Sequence, residues 1–418
     1  MNSGTVKQPW HFIFLLILAG EAVFILPFVL ARVFRPTVLD VFDLTNLELG
    51  TCFSIYGIVA LVSYVFGGPL ADRFPPRKLM ATALILTALG GFVYAGNPSY
   101  TLLKILYGYW GFTTIFLFWA AMIKATRVWG GERSQGKAFG FLDGGRGLVG
   151  AGFASLGVLI FSIFIVGEIS KAALADRTEA FQYVVWVSSG IVIFIGLLVW
   201  FFLKPKGDPR QLVLDKVSFQ HINTVLRIPT VWLLMIIILS AYVGYKITDV
   251  FSLYAKEVMK YDEVDSAKVG TFLLYIRPVV GILIGFIADR SRTTLWLIIG
   301  FLLSILGALI FVSGIIEPNS TSLFFLSTLI TATGIYAARA LYFATMKEGK
   351  IPLALTGTAV GMISIVGYTP DIFAGPAMGY LLDNSPGELG HQHVFIMLAV
   401  FSFIGLLAAI QLYRRIKN

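Results

Sequence analysis

The chain has 418 residues, 57% hydrophobic and 13% charged, with a formal net charge of +9 and a mean hydropathy of +0.83. Soluble domains carry about 25% charged residues, so a soluble enzyme, a disordered chain and a disulfide-stapled secreted module are all excluded. Cys52 is the sole cysteine, which leaves no intramolecular disulfide and no thiolate metal cluster.

Twelve predominantly apolar segments are predicted, at roughly 10–34, 48–70, 79–96, 101–123, 138–166, 181–203, 231–255, 266–288, 294–316, 321–346, 353–382 and 392–413. The first is too long for a signal-peptide core and carries Glu21 about midway, then Pro27. The fourth holds Tyr107, Tyr109, Trp110 and Trp119. In the fifth, Asp143 and Arg146 are three apart within a run of glycines from Gly136 to Gly152, a pattern that suits close helix contact. No Gly-Lys-Ser/Thr follows those glycines, so they are not a nucleotide loop. After the sixth segment, Lys204-Pro205-Lys206-Gly207-Asp208-Pro209-Arg210 opens the longest connection. Its polarity and turn residues suit a cytoplasmic linker, 204–230, between six-helix halves at 1–203 and 231–418. The seventh segment carries Tyr242, Tyr245, Lys246 and Asp249; the eighth, Arg277 before Pro278; the tenth, Tyr336, Arg339 and Tyr342. The eleventh carries Tyr368 and Asp371, with Pro352, Pro370 and Pro376 bracketing or interrupting it.

Lys and Arg crowd the tails and the connections after even-numbered segments, as in Arg73, Arg77, Lys78, Lys204, Lys206, Arg290 and Arg414. The opposite connections are acidic, as in Asp262-Glu263-Val264-Asp265. The positive-inside rule then places both termini in the cytoplasm, and the basic charge reads as membrane topology rather than as a nucleic-acid surface.

The connection after segment 2 reads Gly68-Pro69-Leu70-Ala71-Asp72-Arg73-Phe74-Pro75-Pro76-Arg77-Lys78, and that after segment 8 reads Gly285-Phe286-Ile287-Ala288-Asp289-Arg290-Ser291-Arg292. This repeated Gly-x-x-x-Asp-Arg pattern resembles the signature loop of the major facilitator superfamily. The resemblance implies an all-α membrane protein of twelve transmembrane helices in two pseudo-symmetric six-helix bundles. Gly68, Asp72, Arg73, Gly285, Asp289 and Arg290 then form a conformational latch, the glycines admitting a neighbouring helix and the acids bonding basic side chains or a helix N-terminus; a solvated turn that only enforces topology is the alternative. Tyr245 to Val258 and Gly357 to Tyr368 resemble helices 7 and 11 of the organophosphate:phosphate antiporters, within an antiporter and anion symporter branch. That branch grips phosphate with arginines on helices 1 and 7. Here Gly244 falls at the helix 7 position, with Lys246 two residues on, and Arg32 lies near the outer end of helix 1. The branch's helix 5 polar residue falls on Arg146, and its helix 11 tyrosine on Tyr368.

A charge at a helix centre costs about 2.5–3.5 kcal/mol in a membrane, so Glu21, Asp143, Arg146, Lys246, Asp249, Arg277, Arg339 and Asp371 each call for a partner or a watery cavity. Asp143 with Arg146 and Lys246 with Asp249 share helix faces, as structural ion pairs or as groups that trade partners with a substrate. Glu21 meets no cation on its own helix and reads as a proton carrier or as a silent protonated acid. Arg339 faces the cavity or bonds carbonyls or Glu348. None of the four histidines is placed deep in a span. The expected function is a monomeric, multi-pass cell-membrane secondary transporter working by alternating access, without metal or other cofactor. Its substrate is a small organic anion of sugar-phosphate, sulfonate or carboxylate type. Arg146, Arg277, Lys246, Tyr368, Arg339, Tyr245 and Tyr242 are the substrate candidates, and Glu21, Asp143, Asp249 and Asp371 the proton-coupling ones. Export of a neutral or cationic compound and a non-transporting ligand sensor are the alternatives; an enzyme is not expected.

Overall fold

The computed structural model describes residues 8–130, 135–165, 172–204, 219–351 and 356–417. Helices account for nearly all of this, in the order α1 Trp10–Ala22, α2 Leu30–Val33, α3 Arg35–Val41, α4 Asn46–Arg73, α5 Pro76–Ala95, α6 Tyr100–Gly111, α7 Ala120–Gly130, α8 Gln135–Phe164, α9 Leu174–Phe202 and α10 Phe219–Leu226. There follow α11 Pro229–Ile247, α12 Phe251–Glu257, α13 Glu263–Asp289, α14 Thr293–Val312, α15 Thr321–Leu341, α16 Thr345–Glu348, α17 Thr356–Gly367, α18 Pro370–Asn384 and α19 Glu388–Lys417. Backbone polar groups have no water to bond in hydrocarbon, which is why apolar runs of this length fold as helices. Among the described residues ten helical stretches are long and apolar enough to cross a membrane, and the pair Trp10–Ala22 and Ile25–Val33, bent by 41°, makes an eleventh. The predicted eleventh span is two shorter helices, α17 and α18, interrupted at Tyr368 and Thr369. Most of the predicted linker, 205–218, lies outside the described residues.

The interruptions have local chemical causes. Pro27 has no N–H to donate, and the chain passes from α1 to α2 through a widened turn, Ile25–Val29, where Val29 N bonds Phe24 O. Between α6 and α7 the hydroxyls of Thr113 and Thr114 both bond Trp110 O, competing with the backbone just where the helix widens over Phe112–Trp119. A 3₁₀ turn, Thr248–Val250, separates α11 from α12, with the Thr248 hydroxyl on Tyr245 O at 2.7 Å. The hydroxyl of Thr369 bonds Val366 O at 2.7 Å, and Pro370 then opens α18.

Two compact units result, one of Met1–Leu44, Thr51–Leu214 and Asp262–Tyr275, the other of Thr45–Gly50, Asp215–Tyr261 and Ile276–Asn418. Lipid is as apolar as leucine, so helices associate through close packing rather than hydrophobic transfer. In the first unit Phe34, Phe161 and Phe181 form the buried ring cluster. Tyr109 OH bonds Leu86 O and Trp110 Nε1 bonds Thr87 O, so two of the helix 4 aromatics tie α6 to α5 rather than facing a cavity. In the second unit α14 meets α15 at Gly334, where a Cβ would lie 2.4 Å from Ser304 N. Phe311 stacks on Phe395 at 4.1 Å beside Tyr254. His391, in the first turn of α19, is fully buried, its Nε2 2.8 Å from Glu257 Oε2.

A Cβ at Gly68 or Gly285 would meet nothing within 4 Å. Arg73 and Arg290 are exposed, and the side chains of Asp72 and Asp289 lie outside the described residues. Near these helix ends Lys124 Nζ donates to Ala71 O at 2.8 Å, and Glu348 is engaged as well. The Glu348 carboxylate accepts the backbone N–H groups of Thr293 and Thr294 and the Thr294 hydroxyl, capping the start of α14. Burial alone would raise that carboxyl, but the bonds from Thr294 and Thr293 outweigh burial and hold it below the usual carboxylate range.

A depressed carboxyl contributes stability that is complete above its unfolded-chain value and is lost as pH falls through its folded value. Glu348→Gln is therefore expected to remove about 1 kcal/mol at neutral pH and to flatten the acid side of the stability profile, as read by thermal unfolding in detergent across pH 3–7. An unchanged acid limb would show that the cap does not contribute.

Candidate substrate and coupling site

In the first unit α1 and α8 lie against each other through small residues. A Cβ on Gly150 would fall 2.9 Å from Glu21 Oε1, and one on Gly20 would fall 3.1 Å from Arg146 Cδ. The two glycines thus leave room for an ion pair, Arg146 Nε to Glu21 Oε2 at 3.2 Å, with side chains 11% and 6% exposed. The guanidinium lies 5.4 Å from the Phe24 ring and 5.7 Å from that of Trp119, within cation–π range. Its Nη1 and Nη2 make no hydrogen bond among the described residues, so the forked edge suited to an oxyanion is open. Glu21, which meets no cation on α1, is partnered by Arg146 of α8, and Asp143, three residues before that arginine, is exposed.

In the second unit Lys246, 2% exposed, has two carboxylates in reach: Asp371 Oδ1 at 3.3 Å and Asp249 Oδ2 at 3.8 Å. The helical spacing to Asp249 was legible in sequence, but the closer partner is Asp371, in the first turn of α18, where a helix N-terminus favours an anion. Tyr242 OH donates to both oxygens of Asp371, at 3.0 and 3.1 Å. Tyr368 sets its ring edge-on against Tyr242 at 4.9 Å, and its hydroxyl lies 3.3 Å from that of Tyr342. Arg339 lies over the Tyr245 ring at 3.6 Å and 5.8 Å from the Tyr242 ring; Arg277, 6% exposed, is 5.8 Å from the same Tyr245 ring. Arg339 is thus placed on tyrosine faces, while Glu348 is taken up by α14. Gly244 packs against Ile335 and Leu398, each 3.3 Å from a Cβ built there, so that helix position faces apolar neighbours.

The structure therefore brings together Lys246, Asp249, Asp371, Tyr242, Tyr245, Tyr368, Arg277 and Arg339 in one unit, and Glu21 with Arg146 in the other. Sequence reasoning did not foresee the burial of Arg32 and Arg35, which are 4% and 1% exposed. The signal available was the apolar sequence on both sides of them. It also missed Arg177, which bonds Asp40 and Glu263, each at 2.5 Å. No group of three His, Cys, Asp or Glu side chains suited to a metal ion occurs among the described residues.

Apolar spans with paired charges buried among them describe a multi-pass membrane protein. Residues 11–374 match the family model for the Major Facilitator Superfamily, and the chain belongs to that family. It is 29% identical over 374 residues to the inner membrane protein YqcE of Escherichia coli (strain K12), covering 86% of each chain. It is 27% identical over 419 residues to the inner membrane protein YihN of the same strain, covering 99% of this chain and 97% of that one. Among solved structures, a bacterial homolog of the human lysosomal transporter Spinster, inward-facing and unoccupied, superimposes with a TM-score of 0.73 at 16% identity, over 97% of both chains. The nucleoside transporter NupG gives 0.72 at 14% identity, over 96% of this chain and 99% of that one. At those identities the likeness is one of fold, the major facilitator fold.

Removing one member of a buried ion pair strands the other. Arg146→Ala is expected to destabilise the detergent-purified protein by about 3–5 kcal/mol, and Glu21→Ala/Arg146→Ala to recover part of that loss. Additive effects in the double-mutant cycle would mean that the two groups are not coupled.

Proposed function

We propose that this transporter moves a small organic anion of sugar-phosphate, sulfonate or carboxylate type by alternating access, coupled to protons or to a counter-anion. The observation that carries the reading is the gathering of cations about Tyr245: Arg277 and Arg339 lie over its ring, and Lys246 follows it in α11 beside Asp249 and Asp371. Guanidinium groups keep their charge at every physiological pH and present forked donors that match carboxylate, sulfonate or phosphate. Tyr242, Tyr245 and Tyr368 add hydroxyls and ring faces for a sugar-like body. Arg146 contributes a further open fork, and Glu21, Asp143, Asp249 and Asp371 are the carboxylates available for protons. Arrangement as halves 1–203 and 231–418 joined by linker 204–230, with both termini in the cytoplasm of a cell-membrane protein and a monomeric state, belongs to the same reading. So does a latch at Asp72, Arg73, Asp289 and Arg290.

One observation favours a rival, export of a neutral or cationic compound: Arg146 already has Glu21 as its counter-ion. The two readings separate in a thermal-shift panel, since a ligand that binds only the folded state raises apparent stability. Glycerol 3-phosphate, a sulfonated sugar and gluconate are set against matched neutral and cationic solutes. Stabilisation by one anion class, at least tenfold weaker in affinity in Arg277→Ala and Arg146→Ala, is expected. Stabilisation only by neutral or cationic solutes would overturn the anion reading.

A further inference from the structure

We propose that Trp119 sets the substrate preference of this transporter: its indole N–H and the Nη1 and Nη2 edge of Arg146 form a subsite in the first unit for a tetrahedral oxyanion with three free oxygens, a sulfonate or a phosphate, in preference to a flat carboxylate. This narrows the anion reading above and rests on it. Of the eight tryptophans, Trp110, Trp129, Trp232 and Trp296 each donate Nε1–H to an oxygen, at distances between 2.7 and 3.1 Å. Trp10, Trp186 and Trp200 are exposed. Trp119 differs from both groups: it is half-buried, and its N–H makes no hydrogen bond among the described residues. It also closes the widened turn Phe112–Trp119, while Phe24, its ring neighbour at 6.2 Å, stands directly before the widened turn Ile25–Val29. Widened turns re-aim the side chains beside them and recur at functional sites.

Arg146 supplies the rest of the subsite. Glu21 holds its Nε at 3.2 Å, and Nη1 and Nη2 make no hydrogen bond among the described residues. A carboxylate already on a guanidinium does not bar a second anion, as this unit itself shows: Arg177 serves Asp40 and Glu263 together, each at 2.5 Å. N–H donors without an acceptor are costly in hydrocarbon, so the open edge of Arg146 and the N–H of Trp119 mark a place filled by water or by a ligand. The guanidinium carbon is 5.7 Å from the Trp119 ring and 5.4 Å from the Phe24 ring. An oxyanion on the fork stands about 4 Å from that carbon, which brings the indole within reach of it. The fork takes two oxygens through parallel bonds. Indole nitrogen is a donor only, so it suits a third anionic oxygen, which a carboxylate does not have. Phe24 flanks the same guanidinium and offers no donor, which leaves the discrimination to Trp119.

The test is a binding comparison on the detergent-purified full chain, by ligand-induced thermal stabilisation over a concentration series. Two matched pairs are used: 2-hydroxyethanesulfonate against 3-hydroxypropionate, and glucose 6-phosphate against glucuronate. Wild type is expected to bind a three-oxygen member more tightly than its carboxylate match, and the pair that shows this separates sulfonate from phosphate. Trp119→Phe keeps a ring and loses the N–H. It is expected to weaken the three-oxygen anion about tenfold and to leave the carboxylate unchanged, so that the preference disappears. A merely structural role would weaken both members alike. Arg146→Lys keeps the charge beside Glu21 and removes the fork, and it is expected to weaken the three-oxygen anion by at least tenfold; it serves also where Trp119→Phe does not fold. If no anion stabilises wild type, the anion reading fails and this inference with it. If anions bind but carboxylates are preferred, or if the preference survives Trp119→Phe, the anion reading stands and the assignment to Trp119 is overturned.

Discussion

A charge inside hydrocarbon has to be met by an opposite charge, by a hydrogen-bond donor or by water, and the structure is organised around that demand. Three of the paired carboxylates stand where the helices are interrupted, while their cations Arg146 and Lys246 lie within α8 and α11. Glu21 sits just before the bend that leads into the widened turn at Ile25–Val29. Asp249 lies in a 3₁₀ turn and Asp371 in the first turn after Pro370. A broken helix exposes backbone groups that a continuous helix satisfies internally, and it frees a side chain to leave the ideal helical face. Interruption and charge therefore belong to one design, in which irregular backbone is confined to places that already hold polar groups.

This explains what was legible in the amino-acid sequence and what was not. The apolar runs are long, and the lipid environment leaves the helix as the only local solution for them, so span positions follow from composition. Basic loops, the repeated Gly-x-x-x-Asp-Arg pattern and the helical spacing of Lys246 and Asp249 were equally readable, because each is a property of a short stretch. Partner choice is not such a property. The cation of Glu21 is Arg146, on α8, and no periodicity within α1 predicts it. Asp371 outcompetes Asp249 for Lys246 only because the break before Pro370 turns α18 toward α11. Likewise, the glycines that create room for the first pair, Gly20 and Gly150, look in sequence like any others in a small-residue run. Those at Gly68 and Gly285, which carry the family resemblance, meet nothing within 4 Å.

Burial of Arg32 and Arg35 shows the same limit from the other side. Two arginines close to the end of an apolar segment read as an outer connection under a window average, since averaging dilutes the residues around them. In three dimensions α2 and α3 are short helices folded into the first unit, and their neighbours include Val33, Phe34 and Val38, all buried. Long arginine side chains tolerate this because their aliphatic stems pack while the guanidinium donates to oxygen acceptors or faces rings.

The division between arginine and lysine in the second unit bears on mechanism. A guanidinium is planar and permanently charged, suited to holding a flat or tetrahedral oxyanion through parallel bonds, and Arg277 and Arg339 are both set over the face of Tyr245. Lys246 carries a compact charge on a flexible stem, and its two carboxylates lie at 3.3 and 3.8 Å, a difference small enough for the balance between them to be tipped by a single proton or ligand charge. A Cβ at Gly244 would meet Ile335 and Leu398 at 3.3 Å. On the proposed reading, then, the arginines hold the anion, while Lys246 stands between two carboxylates. A lysine can be shared in this way because it offers one point of charge, whereas a forked guanidinium clasps a single carboxylate through two parallel bonds.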